Sequence, residues 1–311
     1  MGKAAISLVG ILAAVVLVAP GGALAREAVT LVYTNSLNGY LDYCHCKAEP
    51  NGGLVKRITE FASIRGAHRN ALFFDTGDAF TYDPDPLGSK YIVRAMKLAG
   101  YDAMAPGDQE FASGADVFIG FAGELPFLCG NLQVQRGGRW ITPLPGMRIM
   151  EKAGVKMAVI GTISQDAFKF YPESVKRSVR VLDQVSNLKK SIREAEGKGA
   201  KFIVLLSHSG HERDLELAGA IRGIDVIIGG HSQTLTKQPV KVGDTLVVQA
   251  GSNGAHIGIL ELTADNGNVV TYKNSFRRPD EFRPADDPRV RRLIVEYREE
   301  LKKSSGTPRF K

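Results

Sequence analysis

The sequence predicts an α/β protein in which two sheets pack face to face between helices, and three observations predict it. Apolar, β-branched runs alternate along the 311 residues with segments whose apolar residues recur at helical spacing. The strand-type runs outnumber what one parallel sheet usually holds, and the last three are separated only by Gly or Asn turns. Five of the runs stop on a polar or ligand-type residue, the pattern of folds that build a site along the carboxyl edge of a sheet.

Each element has its own local reason. Ala28–Tyr33 is a β-branched strand ending in the polar loop Thr34–Gly39, and Gly53–Arg65 places Leu54, Ile58, Phe61, Ala62 and Ile64 at helical spacing. Ala71–Phe74 reads as a buried strand, Tyr91–Leu98 as a helix and Asp102–Ala105 as a strand; Phe127–Leu132 and Lys156–Gly161 are two further strand candidates. In the second half, Val185–Glu196 is helical, Phe202–Leu206 a strand, Leu215–Ile221 a short helix and Asp225–Ile228 a strand. Thr245–Gln249, Gly258–Thr263 and Val269–Lys273 follow as consecutive strands. Pro288–Lys303 carries Val290, Leu293, Ile294, Tyr297 and Leu301 on one stripe, so it is an amphipathic helix with Pro in its first turn.

Composition excludes several classes. With 44% hydrophobic and 23% charged residues and only 3 Cys, the chain is neither collagen-like, disordered nor a disulfide scaffold. The net charge is +7, but Arg277–Lys311 alone holds 11 basic and 7 acidic residues, or +4. A balance that local, with no basic stripe interleaved with aromatics, argues against nucleic acid as a partner. Residues 1–25 read as a signal peptide: Lys3, an apolar run over Ile6–Val18, then Ala23-Leu24-Ala25. The run is short beside the roughly 20 residues of a spanning helix. The expectation is a periplasmic or extracellular protein with no membrane span after cleavage, an uncleaved anchor being the competing reading.

Three cysteines in an exported chain leave at least one unpaired, ligated or bonded elsewhere. Cys44 and Cys46 flank His45, and a bridge between neighbours two apart is strained, so Cys129 is the easier partner for either. The alternative is that the thiolates and His45 serve as accessory metal ligands or a redox pair.

The strand-end residues are Ser36 and Asn38, Asp78, Asp108, His208 and His231. Each alone is a common turn-former. Together, two carboxylates and two imidazoles suit a borderline divalent ion such as Zn, Mn or Fe.

The order Asp75-Thr76-Gly77-Asp78, Gly107-Asp108-Gln109-Glu110-Phe111, Ser207-His208 and Gly230-His231-Ser232-Gln233-Thr234 resembles the metallophosphoesterase domain of the secreted 5′-nucleotidases, in the calcineurin-like superfamily. The likeness runs from about Leu31 to Leu262. It implies a four-layer α/β/β/α sandwich of two mixed sheets flanked by helices, spanning residues 26–276, with 277–311 as a C-terminal amphipathic helix and basic tail. It also implies a two-metal hydrolase of small phosphate monoesters. Carried over by position, Asp78 bridges two ions; Asp108, His208 and His231 complete one site, and Gln233 matches a ligand position that is His or Gln in the family.

Asp108 stands where the family has an Asn ligand, and a carboxylate there can still bind metal with added negative charge; the weightier departures fall on the other ion. The family opens Thr-Asn-Asp-x-His-Gly, whereas this chain has Thr34-Asn35-Ser36-Leu37-Asn38-Gly39, so Ser36 and Asn38 replace two first-metal ligands. The catalytic His falls at Gln109 and the Asp that orients it at Ala112. Gln can donate a hydrogen bond but cannot cycle a proton. The resemblance therefore implies one or two ions in a partly degenerate site, either still hydrolytic or turned to ligand binding or partner docking. In the family a following domain supplies the aromatic clamp for the nucleoside, and the chain ends at Lys311. The C-terminal helix and basic tail are accordingly candidates to dock on a protein partner or on this domain's own flank.

Overall fold

The computed structural model describes residues 27–43, 52–265, 268–279 and 285–304. The predicted signal peptide and Cys44, His45 and Cys46 lie outside the described residues.

The chain begins with β1 (Glu27–Thr34), α1 (Leu54–Ala67), β2 (Ala71–Asp75), α2 (Pro86–Ala99) and β3 (Ala103–Met104), then a 3-10 turn at Gln109–Phe111 and α3 (Ala115–Ala122). Next come β4 (Leu132–Arg136), β5 (Arg139–Ile141), β6 (Met147–Lys152), β7 (Val155–Ile163), a second 3-10 turn at Gln165–Phe168, α4 (Glu173–Ser178) and β8 (Val179–Val181). The last part holds α5 (Gln184–Gly197), β9 (Phe202–His208), α6 (His211–Ala220), β10 (Val226–Gly229), β11 (Val240–Val242), β12 (Thr245–Val248), β13 (Ile257–Asp265), β14 (Asn268–Arg277) and α7 (Pro288–Lys303).

Two large mixed sheets form, in the order β14-β13-β1-β2-β3 and β11-β12-β10-β9-β7-β6. Side-chain alternation along the strands separates three apolar layers. Leu31, Leu72, Phe74, Val204, Leu206 and Ile228 meet between the sheets. Their neighbours Val32 and Phe73 face α1, α2 and α7, while Ile203, Leu205 and Ile227 face α5 and α6. The four-layer α/β/β/α sandwich is thus present. Its apolar interior is stabilised by burial worth about 25 cal/mol for each Å² removed from water.

Two expectations need correction. Phe127–Leu132 is not a strand: Phe127 makes a single parallel bridge to Met104, and Leu132 only begins β4. The run is apolar because it threads the interior, and its backbone is satisfied irregularly by Leu128 N–H to Met104 and Cys129 N–H to Pro145. A third sheet, β5-β4-β8, adds to the two that the sequence predicts. In addition, of the two surfaces expected for α7, the domain's own flank takes its apolar stripe, and the stripe is not left for a protein partner. Val290, Leu293, Ile294, Tyr297 and Leu301 are buried in the core shared with α1 and α2, and Tyr297 stacks edge-on against Tyr91 at 5.5 Å. The helix is held at its start by Asp287, whose carboxylate caps the backbone N–H groups of Arg289 and Val290. Among the described residues no helix is long and apolar enough to cross a membrane.

Tyr297→Ala should lower unfolding stability by roughly 3 kcal/mol, read as a reduced urea midpoint. Val295→Ala, on the exposed face of the same helix, should change it by less than about 0.5 kcal/mol. Equal effects would mean that α7 is not docked.

Candidate metal centre

Register brings the strand ends together. In the parallel pair β1–β2 Thr34 lies beside Asp75, and in β7–β9–β10 Ile163 lies beside His208 and Ser207 beside Gly229. The loops leaving these positions meet where the two sheets share an edge. Thr76 joins them: its hydroxyl donates to the Gly229 carbonyl (2.8 Å), and its own carbonyl accepts from His208 Nδ1 (2.6 Å).

That last bond sets the chemistry of His208. A carbonyl can only accept, so Nδ1 carries the hydrogen, and the neutral ring presents the Nε2 lone pair. Nε2 lies 3.0 Å from Asp108 Oδ1 and 3.3 Å from Asp78 Oδ1. His231 Nδ1 is also 3.0 Å from Asp108 Oδ1. A lone pair facing two carboxylates needs a proton or a cation between them. Burial alone would depress the His208 imidazolium, but Asp78 and Asp108 outweigh it and hold its pKa well above the ordinary value. Burial would likewise raise Asp108; hydrogen bonds from the two imidazoles, and their charge, hold it below the usual carboxylate range.

Asp78, Asp108, His208 and His231 offer four ligand atoms within 4.8 Å of one another. The first three are buried, and His231 is one-third exposed, so the cluster opens on the His231 side. Two carboxylate oxygens and two ring nitrogens, that of His208 with its tautomer fixed, fit a divalent ion of the Zn, Mn or Fe type.

The loops that carry these residues are strained. Among the described residues seven non-glycine positions have positive φ, and six belong to this region: Ser36, Asn38, Asp78, His231, Gln233 and Asn253. Left-handed backbone costs on the order of 1 kcal/mol for each such residue, and the surrounding hydrogen bonds hold it. Asp75 accepts from the Thr34 hydroxyl (2.6 Å) and the Gly77 N–H (3.0 Å) and faces the buried Arg57 guanidinium, so it orients the loop. Glu110 accepts from the backbone N–H groups of Asp78, Ala79, Phe80 and Gly107, tying the loops of Asp78 and Asp108 together. Burial, then Asp78, push the Glu110 carboxyl up to about 7.

The remaining predicted residues are placed differently. Ser36 is buried and its hydroxyl accepts from Asn35 (3.1 Å). Gln109 Nε2 donates to Asn38 Oδ1 (3.0 Å), and Asn38 Nδ2 donates to Asn253 Oδ1 (2.8 Å), forming a row of neutral amides. Gln233 is exposed. Cys129 is a free, fully buried thiol whose Sγ donates to Asn131 Oδ1 (3.4 Å), while Cys44 and Cys46, its expected partners, lie outside the described residues. Its own burial pushes the thiol up to about 12, so no thiolate forms there. Sequence reasoning missed Glu110, Asn253 and the tether at Thr76. Glu110 sits inside the Gly-Asp-Gln-Glu motif, the one local signal that could have marked it.

Two glycines are required by close approach. A Cβ on Gly107 would lie 2.4 Å from Asp78 Oδ1 and 2.6 Å from His208 Cε1; one on Gly230 would lie 2.5 Å from the Thr76 carbonyl. Beside His231 a cavity of about 650 Å³ opens, lined by Ser164, Asp166, Leu182, His211, Arg213 and Ser232 among others.

Gly107→Ala should therefore lower affinity for Mn²⁺ or Zn²⁺ about 10–100-fold, measured by titration, while Gly123→Ala, around which there is open space, should not. A second test concerns Asp214, which burial pushes up to about 8. Its folded pKa exceeds the unfolded value near 4, so folding takes up a proton and stability falls as pH rises from about 4 through about 8. In metal-free protein the Tm of Asp214→Asn should fall less over that window than the wild type's.

No family model matches the chain. It is 26% identical over 316 residues to the trifunctional nucleotide phosphoesterase protein YfkN of Bacillus subtilis, covering 88% of this chain and 21% of that one. It is 27% identical over 283 residues to the 5′-nucleotidase of Diplobatis ommata, covering 80% of this chain and 48% of that one. The chain thus spans about half or less of these relatives. The crystal structure of a 5′-nucleotidase precursor from Thermus thermophilus superposes with a TM-score of 0.77 at 27% identity, over 88% of this chain and 59% of that one. Relatives and structural neighbours agree, and the chain is a homologue of the N-terminal phosphoesterase portion of the 5′-nucleotidases, built on the calcineurin-like phosphoesterase fold.

Proposed function

We propose that the protein is an exported, metal-dependent phosphoric ester hydrolase acting on a small phosphate monoester through a partly degenerate dinuclear centre. The observation that carries the reading is the convergence of His208 Nε2 and His231 Nδ1 on Asp108 Oδ1, each at 3.0 Å, with Asp78 alongside. Asp78, Asp108, His208 and His231 would hold one divalent ion, with Gln233 at the rim. Such an ion supplies Lewis acidity toward a phosphoryl oxygen and a lowered pKa for water.

The chain's own groups then have defined tasks. Thr76 keeps the His208 lone pair aimed at the cluster, and Glu110 fixes the spacing of Asp78 and Asp108. Gln109, where the family has its catalytic His, donates to Asn38 and moves no proton. The amide row over Gln109, Asn38 and Asn253 stands where a second ion's ligands would lie, and it favours a slow hydrolase. The same row is the observation behind the second reading, a catalytically inactive metal- or ligand-binding module. Export rests on the Lys3, Ile6–Val18 and Ala23-Leu24-Ala25 pattern.

Purified mature chain loaded with Mn²⁺, Co²⁺ or Zn²⁺ should hydrolyse a phosphomonoester panel faster than Asp78→Asn does. A wild-type rate no greater than that variant's would leave the binding module. Restoring ligands with Ser36→Asp and Asn38→His should raise kcat, because the backbone at both positions already holds the left-handed conformation.

A further inference from the structure

The third sheet takes no part in the metal centre, and its outward face carries charge that the fold leaves unbalanced. Alternation along β4, β5 and β8 turns one face of each strand inward and the other outward. Leu132, Val134 and Val179 lie in the core shared with α1 and α2, with Ile141 and Val181 packed against it. The opposite parity puts Gln133, Gln135, Trp140 and Arg180 on the outward face, where register sets Arg180 beside Gln133 and Trp140 beside Gln135. The Arg180 guanidinium lies over the indole, 4.2 Å from the ring centroid.

The β4–β5 hairpin continues this basic surface. Arg136 pairs with Arg139 across a two-residue turn, and Gly137 and Gly138 both hold the positive φ that such a turn requires. A Cβ on either glycine would meet nothing within 4 Å, so the tip stands clear of the other described residues. Arg177, in the last turn of α4, comes three residues before Arg180. Arg136, Arg139, Arg177 and Arg180 are all exposed, and among the described residues none has an acidic partner. The one acid of α4, Glu173, is taken by Lys176 at 3.3 Å. Trp140, the chain's only tryptophan, is half-buried among these cations.

Unpaired guanidinium groups around an indole match an anionic partner, and the shape of the surface selects which kind. The edge strands β5 and β8 are three residues long, too short to add an acidic peptide as a further strand. The cavities of about 650, 530 and 400 Å³ take no lining from the four arginines or Trp140, so none of them opens here as a groove for a polymer. A projecting tip with cations flanking an indole suits an array of headgroups instead. Arginine attracts the lipid phosphates, and indole settles at the boundary between headgroup and acyl chain. We propose that the β4–β5 hairpin and Arg180 dock the protein on an anionic lipid surface, with Trp140 at that boundary. The proposal is independent of the hydrolase reading.

The test is cosedimentation of the full chain with vesicles of phosphatidylcholine, alone or mixed with phosphatidylglycerol, while Trp140 emission is recorded. The apolar N-terminal segment is common to every variant, and its contribution is read from the uncharged vesicles. Affinity should rise with phosphatidylglycerol, fall with added salt and bring a blue shift of the Trp140 emission. Each arginine removed should lower it about fivefold, so Arg136→Gln with Arg139→Gln should lower it about 25-fold. Arg136→Lys with Arg139→Lys should keep most of it. Lys189→Gln with Lys190→Gln, exposed on α5, removes equal charge and should change affinity less than about twofold. All these positions are exposed, so every variant should keep the wild-type urea midpoint. Equal affinity for both vesicles, an unshifted emission, or equal losses in the arginine and lysine pairs overturns the proposal. Polyglutamate bound as tightly as the mixed vesicles, with the same arginine dependence, overturns it in favour of an acidic polypeptide.

Discussion

The hydrogen bond from His208 Nδ1 to the Thr76 carbonyl is the constraint on which the rest of the site depends. Thr76 follows β2 in one sheet and His208 ends β9 in the other, so the bond joins the two halves of the sandwich at their common edge. It also selects the tautomer that aims Nε2 at Asp108 and Asp78. The bond is buried, where loss of one partner leaves the other's polar group unsatisfied at a cost of about 1–3 kcal/mol. Gly107 and Gly230 are glycine because a Cβ at either would collide with this arrangement.

Around that bond the loops accept unfavourable backbone. Six non-glycine residues of the region are left-handed, and bonds from elsewhere in the fold hold the loops that carry them. Asn35, for example, donates to the Gly251 carbonyl and accepts from Ala250, pinning the loop after β1 to the loop after β12. Ser36 and Asn38 keep this conformation although neither offers the carboxylate or imidazole of a strong ligand. On the proposed reading, the backbone of a two-ion centre is retained while the side chains on one side are neutral amides and a hydroxyl. Neutral groups there bond to one another, so the row from Gln109 through Asn38 to Asn253 is satisfied without a cation.

Much of this is legible in sequence where the signal is local. Helix α7 spans the predicted Pro288–Lys303, because an Asp-Pro start and a five-residue apolar stripe are contained within it. The strand-end motifs place Asp78, Asp108, His208 and His231 on one edge. What stays hidden depends on long-range pairing. The sheet β5-β4-β8 joins Leu132 to Val181, and no residue near either announces the partner. Phe127–Leu132 is as apolar as a strand, yet its backbone finds partners in Met104, Pro145 and Gly161, so burial without a ladder gives the same pattern. Asn253 reaches the site from a loop with no motif. Cys129 is a buried thiol among core residues, and its expected partners Cys44 and Cys46 lie outside the described residues.

The central claim is that one ion's ligand set survives and the other's has been replaced. Crystals of the protein grown with Mn²⁺ and measured for anomalous scattering test it most directly. The account predicts one strong peak bounded by Asp78, Asp108, His208 and His231, with no second peak beside Ser36 and Asn38. Two peaks about 3.5–4 Å apart, the spacing of a two-metal hydrolase, would contradict it.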